Sequence, residues 1–115
     1  MAELRLKRIE SLLREELAAM IQRGEIKDPR VESLTTVTAV EVTKDLAHAK
    51  VWVSRFGERE RLATCVEALN HASGFIRSAL ARRVPLRTFP QLRFVLDDSM
   101  ERGFRIAQKL RDAGL

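Results

Sequence analysis

Arginine carries most of the chemical potential of this chain, and its densest run follows a small, polar break. Arg77, Arg82, Arg83 and Arg87 come after Ala72-Ser73-Gly74, and a guanidinium pairs planar and bidentate with phosphate. A break between two helices exposes backbone N–H groups where the second begins, and there both the orphan donors and the helix dipole favour an anion. Such a set would hold a phosphate backbone rather than transform a substrate. Other chemistries find less support. His48 and His71 are the only histidines, and neither accompanies a nucleophilic serine or cysteine in a recognised motif. Cys65 is the only cysteine, which excludes an internal disulfide and a paired-cysteine metal site; within an apolar stripe it reads as a small core residue. No nucleophile elbow, phosphate-binding glycine loop with lysine, or metal-binding histidine pair occurs. Asp97 and Asp98 are adjacent carboxylates suited in principle to acid–base work or Mg²⁺, but their place before a helix favours capping. We expect no enzyme and no cofactor.

The elements that must position these groups are read from composition and period. At 115 residues the chain fits one domain spanning 1–115 with a single core. Hydrophobic residues at 45% and charged residues at 32% are an ordinary globular balance, so disorder is disfavoured. The net charge of +5 points to a polyanionic partner. Tyrosine is absent and aromatics total 5%, so the paired aromatics of a base-stacking sheet are not supplied. The first eight residues have no apolar core, and no apolar run approaches a membrane span. A cytoplasmic protein without membrane contact is expected.

Thr35 to Gly57 reads as a β-hairpin, rich in β-branched residues and reversed at Lys44-Asp45-Leu46-Ala47-His48, where Asp45 can bond its own backbone. Alternation places Thr38, Val40 and Val42 inward with Ala49, Val51 and Val53, and Glu41, Thr43, Lys50 and Ser54 outward. Trp52 could share that outer face, though packing under the terminal helix is the commoner fate of a single tryptophan. Ahead of the hairpin, Ile9, Leu12, Leu13, Leu17, Met20 and Ile21 form one face of a helix ending at Gly24, with basic Lys7 and Arg8 in its first two turns. Asp28-Pro29-Arg30 fixes a turned connector. From Glu58 to Arg83 a helical stripe of Leu62, Cys65, Val66, Leu69, Ala72, Ile76 and Leu80 is interrupted by Gly74. Two readings stay open there: a kink offering amides to phosphate, or close packing of the helix pair on the sheet. Gln91 to Leu96 alternates as a third strand, and Asp97-Asp98-Ser99 caps a last helix whose Ile106, Ala107 and Leu110 can dock on the body. The order is helix, strand, strand, helix-kink-helix, strand, terminal helix, an α+β domain of two layers.

In this order and spacing, several pieces together resemble the ribosome-binding factor A family. They are Asp28-Pro29-Arg30; Val37-Thr38 through Val42 with Asp45-Leu46; Ala49-Lys50-Val51-Trp52-Val53-Ser54; Ala72-Ser73-Gly74-Phe75-Ile76-Arg77; Leu86-Arg87 with Pro90; and Phe94 with Asp97 and Ser99. The resemblance implies a KH-like fold of type II topology, with Ala72-Ser73-Gly74 as the kink that replaces a Gly-x-x-Gly loop. It also implies association with the immature small ribosomal subunit and its ribosomal RNA, help in late maturation and 5′-end processing, importance in the cold, and release involving an assembly GTPase. A monomer is expected. The chain ends soon after Leu110, so roles of a longer tail are not carried over. The expected RNA-binding residues are Ala72, Ser73, Gly74, Arg77, Arg82, Arg83 and Arg87 around the kink, with Lys7, Arg8, Arg30 and Lys50 extending the basic surface. The competing expectation is a protein-interaction module that docks on ribosomal proteins through its helices.

Overall fold

The computed structural model describes residues 2–55 and 59–114, with Ala2, Met100, Glu101 and Phe104 described in backbone only. The elements are α1 (Ala2–Gln22), β1 (Thr36–Val42), β2 (His48–Ser54), α2 (Arg59–His71), α3 (Ser73–Ala81), β3 (Gln91–Leu96) and α4 (Ser99–Asp112). The order matches the expected one, and it is a KH-like arrangement. The expected hairpin end at Gly57 and helix start at Glu58 lie outside the described residues.

Helix α1 buries Ile9, Leu13, Leu17, Met20 and Ile21, while Leu12, assigned to the same stripe, is 38% exposed at its margin. The helix closes as a Schellman motif. Gly24 adopts φ +67°, its N–H donates to Ile21 O at 3.1 Å, and the Glu25 N–H donates to Met20 O at 3.1 Å. Only a residue free of a Cβ sits there without strain.

The sheet order is β1-β2-β3, β1 antiparallel and β3 parallel to β2. The hairpin turns as its sequence suggests: Asp45 Oδ1 accepts from Thr43 Oγ1 at 2.7 Å and from the Ala47 N–H at 3.0 Å. Leu46, at φ +60°, takes a left-handed conformation that disfavours a branched side chain. Its packing against the edge of the core offsets that strain.

The alternation fails at one end of β1. The register runs Val37↔Val53 and then Ala39↔Trp52, so Thr38 is the extra residue of a β-bulge. Val37, not Thr38, is therefore the buried partner of Val53. The freed Thr38 hydroxyl donates to Asp97 Oδ2 at 2.5 Å and lies 3.3 Å from Trp52 O. Ser54, expected outward, is buried, because it ends the strand and strict alternation no longer sets its exposure.

Helices α1, α2 and α3 cover one face of the sheet, over a cluster that includes Leu13, Leu17, Leu69, Ile76, Leu80, Val51, Val53 and Phe94. Both edge strands are closed by a helix side chain. Glu10 Oε2 accepts from the Val42 N–H at 2.8 Å. Asn70 donates to Phe94 O and accepts from the Phe94 N–H, each at 2.8 Å. Unpaired edge groups are a template for unwanted strand pairing, and these side chains occupy part of it.

Helix α4 departs from expectation. Its described side chains are all exposed, with Ile106 at 60% and Leu110 at 47%, so they do not dock on the body. Its apolar stripe is narrow, and the inner face of the sheet is already covered by α1–α3. Asp97 Oδ1 accepts from the Ser99 N–H at 2.9 Å and so caps the helix, while Asp98 pairs with Arg102 at 3.0 Å. Asp97 thus meets the capping expectation, whereas Asp98, at the N-cap position, makes no side-chain capping bond.

Candidate nucleic-acid interface

The break between α2 and α3 is one residue wide and lies at Ala72. That residue has φ −88° and ψ 6°, with no side-chain hydrogen bond capping α3. The Ala72 N–H still donates to Ala68 O, and the Ile76 N–H donates to Ala72 O, both at 3.0 Å. The helix pair therefore keeps one bond on each side of the break, while the first turn of α3 presents N–H donors that no side chain caps. Gly74 sits on that turn, exposed, outside the left-handed region and with nothing within 4 Å of a built Cβ. Close packing on the sheet does not account for this glycine.

The arginines divide into two kinds. Arg77 is half-buried and already engaged: Nη2 donates to Phe89 O at 2.6 Å and Nε to Pro90 O at 3.2 Å. Its guanidinium carbon lies 6.0 Å from the Phe89 ring centroid. It ties α3 to the segment entering β3, which makes it a positioning residue. Arg83 forms a two-pronged pair with Glu25, and that hydrogen bonding holds the Glu25 carboxyl below its ordinary range. Arg30 is turned inward on its own loop, where Nη2 reaches Asp28 Oδ2 at 2.8 Å and Nε reaches Oδ1 at 3.1 Å. Those bonds hold the Asp28 carboxyl at about 2. Three of the expected phosphate ligands are thus neutralised or engaged within the chain.

Arg82 and Arg87 remain exposed, with no partner among the described residues. Arg82 does not stand beside the kink. Helix α3 has nine residues, so at 1.5 Å per residue its ends are about 13 Å apart, with Ser73 and Gly74 at one and Arg82 at the other. Lys7 and Arg8 are exposed on the far part of α1. Arg8 lines a surface hollow with Arg5, Leu4, Lys44 and Leu46 beside the hairpin turn. Lys7 and Arg8, expected to extend the basic surface, thus lie on a different part of the molecule from Arg82.

Lys50 is also exposed, on the face of the sheet away from the helices. There the structure adds residues that sequence reasoning left out. The register sets Lys50 between Glu41 and Arg93, and a hollow lined by Asn70, His48, Lys50, Gln91 and Arg93 runs from the end of α2 over the β3 edge onto that face. Alternation in β3 already put Arg93 outward. Nothing in sequence would have brought Asn70, two residues before the kink, to the same hollow. Among the described residues no group of three or more His, Cys, Asp or Glu could hold a metal ion, and no helix is long and apolar enough to cross a membrane.

Residues 5–110 match the family profile described as Ribosome-binding factor A. The chain belongs to the ribosome-binding factor A family. The ribosome-binding factor A of Treponema denticola is 44% identical over 110 residues, covering 96% of this chain and 83% of its own. The crystal structure of ribosome-binding factor A from Thermus thermophilus superposes with a TM-score of 0.67 at 37% identity, covering 79% of this chain and 94% of that one. A homology model of the Thermus thermophilus factor, fitted into the cryo-electron-microscopy map of its complex with the 30S subunit, gives 0.62 at 36% identity, over 79% and 93%. Membership agrees with the α-β-β-α-α-β order of the ribosome-binding factor A fold seen here.

Proposed function

We propose that this protein binds the immature small ribosomal subunit, contacts its ribosomal RNA, and assists late maturation and 5′-end processing, with greatest importance in the cold. The observation that carries the reading is the Thermus thermophilus factor, alike in fold and more than a third identical, fitted into a 30S map. The geometry supports a phosphate-directed contact. The uncapped first turn of α3 at Ser73 and Gly74, the unpaired Arg82 and Arg87, and Lys50 with Arg93 on the sheet are donors that suit a backbone rather than a base sequence. Lys7 and Arg8 extend the basic surface. Binding as a monomer in the cytoplasm, with release involving an assembly GTPase, completes the proposal.

A second reading draws on α4. Its exposed Ile106 and Leu110 suit docking on ribosomal proteins, with RNA contact incidental. Co-sedimentation with isolated small and large subunits, mature and immature, separates the possibilities. Selective retention by immature small subunits that falls steeply with salt is the expected result. Equal retention by every particle would remove the assembly role, and salt-insensitive binding would favour the protein-docking reading.

A further inference from the structure

We infer that the outer face of the sheet is a one-base stacking platform, on which the ring of Trp52 takes a base of single-stranded RNA while Lys50 and Arg93 take its flanking phosphates. This rests on the RNA-binding reading above and adds a site to it. The three helices that build the core all cover the opposite face, and the described side chains of α4 are exposed rather than folded over this one. Trp52 is half-buried and faces outward between Ala39 and Val95. Ala39 is exposed and small, so it leaves the flank of the ring open. One step along β2, Lys50 lies between Glu41 and Arg93, so two cations stand against a single carboxylate.

The Lys50 ammonium rests 5.0 Å from the Trp52 ring centroid, a cation–π contact of small worth at an exposed site. A base can displace that ammonium from the ring onto the adjoining phosphate, exchanging one weak contact for a stack and an ion pair. A hollow lined by Lys50 and Arg93, together with Glu41, His48, Gln91 and Asn70, adjoins this face and holds both cations beside the ring. Sheets that stack several bases use several aromatics; a single ring bracketed by cations takes one.

Trp52 is the only tryptophan, so its emission reports the platform directly. The full chain is titrated at low salt with a short single-stranded oligoadenylate. Quenching of the wild type is expected; affinities of the two variants, which lack the reporter, are read from the fluorescence anisotropy of a dye-labelled oligoadenylate, with binding weakened about 5- to 100-fold in Trp52→Leu and held near wild type in Trp52→Phe, which keeps an aromatic face. Arg82→Glu with Arg87→Glu should weaken retention on small subunits while the oligoadenylate still quenches Trp52. Absence of quenching, with unchanged affinity in Trp52→Leu, overturns the platform. If the Arg82 and Arg87 substitutions still weaken subunit binding in that case, the RNA-binding reading stands without it. Quenching by ribosomal proteins but not by RNA would assign the face to protein and also overturn the inference.

Discussion

Arg77 shows how a residue of the right type in the right stretch can be committed elsewhere. Its guanidinium satisfies the carbonyls of Phe89 and Pro90, residues whose burial leaves those groups few alternatives. Arg77→Ala should therefore lower unfolding stability by about 2 kcal/mol, read as a lower urea midpoint, without changing the salt dependence of RNA binding. Asp28 behaves likewise. Arg30 hydrogen bonds hold its carboxyl at about 2, against an ordinary 3.8. A folded-state value below the unfolded one stabilises fully above about pH 4, and the contribution is lost as pH falls through about 2. Asp28→Asn should lower the melting temperature at neutral pH and converge on the wild type only below about pH 2.

At the scale of elements, the helix stripes, the Asp45 reversal and the alternation of β3 were legible because each follows a local period or a local bond. The bulge at Thr38 was not, since it depends on Asp97, 59 residues away, accepting the Thr38 hydroxyl. The same holds for the closed strand edges, where Glu10 and Asn70 read as ordinary polar positions on helices. The basic site was half legible. The residue types marked it, but the partners that neutralise Arg30 and Arg83 are carboxylates in connectors, and the length of α3 separates Arg82 from the kink. Helix α4 failed in the opposite sense, because a periodic apolar stripe promises a partner without saying that the core has room for it. The kink itself carries a prediction. Gly74 is exposed with open space about it, so Gly74→Ala should stabilise α3 by about 0.5 kcal/mol in thermal melting. The same substitution should weaken RNA binding, because the added methyl occupies the approach to the uncapped turn.

Across the whole molecule, the thinnest dimension of 19 Å accommodates one sheet and one layer of helices, and the exposed cations are divided between the two sides. Arg82 and Arg87 follow the helix layer, while Lys50 and Arg93 belong to the opposite face of the sheet. An RNA segment that meets both sides must pass an edge, and the hollow beside β3 is such a route. That these cations hold phosphates is tested most directly by the salt dependence of binding to isolated small subunits, measured for the wild type and for Arg82→Glu with Arg87→Glu. If about four phosphates are neutralised, log affinity should fall by roughly three for each decade of salt, and the double substitution should reduce that slope by about half. Identical slopes and affinities for the two proteins would contradict the phosphate-directed contact.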